Sequence, residues 1–178
     1  NKVLNDNFHA AHQLTEHLIR QGYKRIIHFA GPAKINIYHD RLAGFLAALD
    51  KHGRDKVEGK VIENVITKEQ GRKETDRMIS NAYPFDAIFA ASDFSALGAL
   101  LSLKEHNLDV PGKVGVAGFS NEPFTELLEL TTVDQQSSEI GRSAARLLFE
   151  GITGEPNGTS KEIVIKPELI IRNSTLKQ

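Results

Sequence analysis

Apolar positions along the chain alternate between two rhythms. From Asn7 to Gly22, Ala11, Leu14, Leu18 and Ile19 recur at helical spacing, with Gly22 placed to stop the helix. Arg25 to Ala30 is a short apolar run ending at Gly31-Pro32, which predicts a buried strand. A helix is expected from Asp40 or Arg41 to His52, with Leu42, Phe45, Leu46 and Leu49 on one side and Gly53 as its stop. Lys60 to Ile66 reads as a strand, and Thr67 as the N-cap of a helix running to about Asn81 that buries Met78 and Ile79. The second half repeats the pattern. Asp86 to Ala91 reads as a strand, Ser92-Asp93 as the cap of a helix to His106, and Val114 to Phe119 as another strand.

The two ends differ from this middle. Lys2 to Asn5 is strand-like. Ser137 to Phe149 predicts a helix with Ile140, Ala144, Leu147 and Leu148 inward. Gly151 to Gly158 reads as a turn-rich link, and Glu162 to Arg172 as two short strands split by Pro167.

Short continuous apolar strands alternating with amphipathic helices imply an α/β fold, a doubly wound parallel sheet covered on both faces. Such sheets bind ligands beyond the carboxyl ends of their strands. Topology therefore nominates Gly31-Pro32 with the loop to Arg41, Ala91-Ser92-Asp93, Phe119-Ser120-Asn121, and Thr131-Thr132 leading to Gln135.

Composition narrows the chemistry. The formal net charge of −1 gives no general attraction to a polyanion, so any DNA contact belongs to a segment outside this sequence. With no cysteine, neither disulfides nor Cys-based metal sites are possible, which fits a reducing cytoplasm. There is no apolar run of membrane-spanning length. No glycine-rich dinucleotide turn and no P-loop occurs, and Gly118-Phe119-Ser120-Asn121-Glu122 lacks the final glycine of a nucleophile elbow. The chain thus reads as a non-enzyme without a cofactor or metal. His9, His12 and His17 are expected on a solvated helix face, His28 as a satisfied strand residue, and His39 in an exposed loop. Asp93 suits a helix cap better than a ligand contact. Arg41, a cation at the expected start of a helix, opposes the helix dipole, yet its guanidinium suits forked hydrogen bonds to a sugar or an acid.

An ordered set of short motifs runs through nearly the whole chain. Asn5-Asp6-Asn7 with His17-Leu18 through Ile26 comes first, then Arg41-Leu42-Ala43-Gly44-Phe45. Ala87 to Asp93 with Ala96-Leu97-Gly98-Ala99 follows, and then Val110-Pro111 and Val114 to Phe119. Leu130-Thr131-Thr132-Val133 and a closing Leu169 to Thr175 complete the set. In order and spacing it resembles the lac-repressor/galactose-repressor family of transcription regulators, whose sensor has the periplasmic-binding-protein type I fold.

The resemblance implies that residues 1–135 form the C-terminal lobe of an effector domain and that 136–178 link it to an N-terminal lobe, with a DNA-binding head further upstream. It implies a small-molecule effector of the carbohydrate class, a homodimer through Leu97 and Leu101, and operator DNA bound by that head. Effector contacts carry over to Arg41, Phe89, Ser92, Ser120, Asn121 and Gln135. Ser120 departs from the family's aspartate and offers one hydroxyl where a carboxylate takes two donors. The short Leu127-Leu128-Glu129 stretch lacks the family's proline-containing loop near the dimer contact. An exported sugar-binding protein of a transporter shares these lobes, but Leu130 to Val133 and the Arg172-Asn173-Ser174-Thr175 ending favour the regulator.

Overall fold

The computed structural model describes residues 1–153 and 160–177. Its centre is a four-stranded parallel sheet in the order β3-β2-β4-β5, built from β2 (Arg25–Phe29), β3 (Glu58–Ile62), β4 (Ala87–Ala90) and β5 (Gly115–Ala117). The register sets Ile27 beside Ile88 and Ile88 beside Val116. Both faces are covered, which is why the strands are apolar without alternation. Ile26, Ala87, Phe89 and Ala117 face α1 (Asn7–Arg20) and α2 (Asn36–His52), where Leu14, Leu18, Phe45 and Leu49 close one core. Ile27, Phe29, Ile88 and Val116 face α3 (Lys68–Ser80) and α4 (Asp93–Glu105), where Met78, Ala96, Ala99 and Leu103 close the other. The fold is the doubly wound α/β sheet that the periodicity predicts.

Two glycines set the spacing near the carboxyl ends of the strands. A Cβ on Gly44 would collide with the Phe8 carbonyl oxygen, so α2 can pass close to the start of α1 only with glycine here. A Cβ on Gly118 would strike the Asp93 carboxylate, so the turn after β5 presses on the first turn of α4 for the same reason.

Several boundaries differ from the sequence reading. α2 begins at Asn36, so Arg41 lies inside the helix and its charge does not meet the dipole of a first turn. β3 spans Glu58–Ile62, and the chain then turns through Asn64 at φ 61° while Val65 returns to the core. A four-residue helix, α5 (Phe124–Leu127), takes in the first residue of the Leu127-Leu128-Glu129 stretch. α6 (Ser137–Thr153) runs past Phe149 and takes in the start of the supposed link. The remainder of that link, 154–158, lies outside the described residues.

The two ends of the chain do not divide at residue 135. β1 (Lys2–Asn5) stands apart from the central sheet and pairs in parallel with β7 (Glu162–Ile165), beneath α6. β6 (Thr132–Asp134) extends the central sheet through a bridge from Thr131 to Ala117, and β8 (Glu168–Ile170) pairs with it antiparallel. The first strand therefore belongs with the tail, and the last strand with the central body. Pairing, rather than chain order, decides each membership. The closing Arg172-Asn173-Ser174-Thr175 clamps this body. Ser174 Oγ donates to the Val116 carbonyl at 2.6 Å and accepts from Thr131 N–H at 2.8 Å, and Arg172 Nη1 donates to the Leu130 carbonyl at 2.7 Å. Among the described residues no helix is long and apolar enough to cross a membrane.

Candidate ligand-binding site

Arg41 is the centre of the strand-end cluster. It projects from the second turn of α2 and is only 3 % exposed. Its guanidinium carbon lies 3.8 Å above the Phe119 ring centre. Nε donates to Asn7 Oδ1 at 2.9 Å, Nη1 to the Ala91 carbonyl at 2.7 Å, and Nη2 to Gln135 Oε1 at 2.9 Å. Burial pulls its pKa down to about 10, which leaves it charged at neutral pH. The three bonds join α1, the end of β4 and the end of β6 around one side chain.

Gln135 continues the network. Its Nε2 donates to Ser120 Oγ at 2.9 Å, and its backbone carbonyl accepts from Asn5 Nδ2 at 2.8 Å. Ser120 sits at φ 140°, Asn121 at φ 55° and Gln136 at φ 57°, so three non-glycine residues in the left-handed region cluster in two adjacent loops. Such strain costs on the order of 1–3 kcal/mol per residue and gathers where a site must present particular groups. Ser92 caps α4, its Oγ accepting from Phe94 N–H at 3.2 Å, and remains half-buried next to the Ala91 carbonyl that Arg41 holds. The capacity left in this cluster is mostly that of donors: two unused guanidinium N–H groups and the hydroxyls of Ser92 and Ser120.

The expected site residues fall into three groups. Arg41, Gln135 and Ser120 form one continuous hydrogen-bonded chain, and Ser92 adjoins it. Asn121 is close by, but both ends of its amide serve the fold. Nδ2 donates to Asp134 at 3.1 Å, and Oδ1 accepts from Arg172 at 3.0 Å and Thr125 at 3.2 Å. Phe89 does not line the crevice. Its ring is fully buried among His28, Phe45 and Phe119, behind the aromatic floor on which Arg41 rests.

Sequence reasoning also missed some partners. Asp93 is not the cap of its helix. Ser92 does the capping, while the Asp93 carboxylate, fully buried, accepts from Thr132 Oγ1 at 2.6 Å and Glu122 N–H at 2.9 Å. Burial raises its pKa. Asn7, which holds Arg41, had a usable signal: a polar residue directly after a strand and opposite the arginine's motif. His17 leaves the solvated face assigned to it and bonds Thr175 Oγ1 at 2.8 Å from a buried position. His9 lies beside Asp6 at 2.9 Å. No group of three His, Cys, Asp or Glu among the described residues is arranged to hold a metal ion.

The family model for the periplasmic binding protein-like domain matches residues 15–175. The chain belongs to that family. Relatives of this periplasmic binding protein-like domain include the HTH-type transcriptional repressor CytR of Escherichia coli K12, 36% identical over 172 residues. That match covers 96% of this chain and 50% of CytR, so the chain spans half the length of this curated relative. Among solved structures, a LacI-family regulator from Corynebacterium glutamicum superposes with a TM-score of 0.86 at 29% identity, covering 99% of this chain and 67% of that one. A CelR–cellobiose complex superposes with a TM-score of 0.82 at 31% identity, covering 97% of this chain and 53% of that one. Fold and family agree with the resemblance carried by the motifs, and these relatives are transcriptional regulators.

Beside the site, α4 presents a second surface. Leu97 and Leu101 are half-buried on the same side of the helix as Phe94, which is 47 % exposed and packs edge-on against Phe124 of α5. Leu127 and Leu128, at the end of α5, add exposed apolar surface.

Proposed function

We propose that this chain is the effector-sensing part of a LacI-type transcriptional repressor. It supplies one wall of a crevice that takes a sugar-like small molecule and couples its binding to operator affinity. The observation that carries this reading is the union of Arg41, Gln135, Ser120 and Ser92 at the strand ends of a domain whose relatives are repressors. CytR is twice as long as the matched region, which leaves room for a second lobe and a DNA-binding head. The activity is binding, without catalysis, and its place is the cytoplasm, where operator DNA is. Leu97 and Leu101, with Phe94, suit a contact between two copies, because an apolar patch of this kind is normally covered.

CelR, in complex with cellobiose, gives the first compound to try. Calorimetric titration of cellobiose and a panel of mono- and disaccharides would use this chain and a longer protein that contains it. The longer protein should bind one of them, and this chain alone far more weakly, since a pocket ordinarily buries most of its ligand between its walls. Absence of binding to the longer protein across the panel, or equal tight binding by both, would sink the two-walled reading.

A further inference from the structure

Gln135 lies where the chain passes from β6 into α6, and Asn5 to Asn7 where it passes from β1 into α1. These are two of the three crossings that join the β1–β7–α6 unit to the central body, the third being Lys166-Pro167 between β7 and β8. Every polar position that Gln135 offers inward is engaged. Its carbonyl ties the second crossing to Asn5 of the first, Oε1 accepts from the Arg41 fork, and Nε2 donates to Ser120 at its strained turn. Arg41 in turn holds Asn7 at the first crossing. One amide therefore reads two candidate ligand contacts at opposite ends, as an acceptor toward one and a donor toward the other.

We infer that Gln135 is a positioning residue that sets Arg41 and Ser120 for the ligand and passes their state to the crossings. This rests on the reading of the cluster as an effector site and adds to it how that site is regulated. The guanidinium is buried and already has three partners. Nη2 has a second, unused hydrogen, so a ligand acceptor competes with Gln135 Oε1 only where it draws away the hydrogen that the amide holds. Loss of that bond frees the amide, and a freed amide no longer restrains Ser120. Binding at Arg41 is thus exchanged for release of the Ser120 turn and of the side chain at the second crossing, which is a differential contact of the kind that shifts a conformational equilibrium.

The two halves of the amide can be separated chemically. Gln135→Ala removes both. Gln135→Glu keeps an acceptor for Arg41 but, ionised at neutral pH, has no donor for Ser120 and is met only where the Ser120 hydroxyl turns round to donate, which alters the turn. The probe is an arginine-specific dicarbonyl, phenylglyoxal, with Arg41 modification followed by mass spectrometry. Hydrogen exchange at the Asn121 and Glu122 amides follows the turn in parallel. Gln135→Ala should speed Arg41 modification about tenfold, the ratio expected from losing about 1.4 kcal/mol of a charge-assisted bond, and should speed exchange at the turn. Gln135→Glu should restore the slow modification while the turn remains fast.

A merely structural role would move both readouts together in both variants. The inference is overturned if Arg41 stays as unreactive in Gln135→Ala as in the wild type, or if Gln135→Glu rescues both readouts or neither. Should Gln135→Ala fail to fold, the split in Gln135→Glu still decides. No sugar enters this experiment, so its failure leaves the effector reading standing, and failure of the sugar titrations leaves this coupling standing.

Discussion

The Arg41 guanidinium lies flat over the Phe119 ring, 3.8 Å from its centre, and α2 and β5 meet through that stack. The ring gives the buried cation a polarisable floor, and three neutral acceptors hold its edge. Removing the guanidinium leaves Asn7 Oδ1, the Ala91 carbonyl and Gln135 Oε1 without their donor. Arg41→Ala should therefore cost about 3 kcal/mol in urea unfolding. Arg41→Lys keeps the charge but not the planar fork, and should recover less than half of that loss. Full recovery by lysine would mean that charge, and not geometry, holds the cluster.

Acid should unfold this protein through His28. The ring is fully buried between Phe45 and Phe89, Nδ1 meets the Phe89 carbonyl at 3.0 Å, and Nε2 has no partner among the described residues. Burial pushes its pKa down to about 4 from 6.5. Between those values the unfolded chain binds a proton that the folded chain refuses. The stability that depends on neutral His28 is present above pH 6.5 and is lost as pH falls toward 4, by about 3 kcal/mol in total. Denaturation midpoints measured from pH 7 to 4 should fall steeply in the wild type and less so in His28→Phe. Parallel slopes would remove His28 as the cause.

Asp93→Asn should destabilise by about 2 kcal/mol. An amide can still accept from Thr132 Oγ1, but its NH2 group would then face the Glu122 N–H, donor against donor. Thermal unfolding of the variant checks the magnitude. A wild-type midpoint would mean that the carboxylate is dispensable, and with it the link from α4 to the loop after β5.

Ser174→Ala removes one hydroxyl that serves two backbone groups, the Val116 carbonyl and Thr131 N–H, both on buried strands of the central body. Its expected cost is about 2 kcal/mol, large for a single oxygen near the end of a chain. Chemical denaturation monitored by the intrinsic fluorescence of Tyr23, which is fully buried in the α1–α2 core, would report it. A change within error would leave the closing segment as a passive tail.

Most of the fold was legible because burial on both faces leaves a strong trace. Residues 87–91 and 114–119 carry no polar side chain, and only a covered parallel strand explains that together with their flanking helices. The strand-end rule nominated the loops of Ser92, Ser120 and Gln135, and these loops do gather around Arg41, since topology alone dictates where they lie. What stayed illegible depended on partners distant in sequence. Nothing local to Lys2–Asn5 indicates that it pairs with Glu162–Ile165 and not with the central sheet. The resemblance offered Phe89 as a contact, but strand alternation turns it toward α1 and α2 and into the core. His17 shares a helix with exposed histidines, and only the return of Thr175 buries it.

The pairing of β1 with β7 also sets a timetable. A ribosome releases Lys2 to Asn5 early and Glu162 to Ile165 near the end of this sequence, so the first strand must wait unpaired while the central sheet assembles. Closing so long a loop is slow, and the two-stranded product has little of its own to hold it. During synthesis this segment is a free strand with two adjacent apolar residues, Val3 and Leu4, open to chaperones or to the wrong neighbour. The crossings at Asn5 and Gln135 are then the last joints to be made, and on heating the first to open.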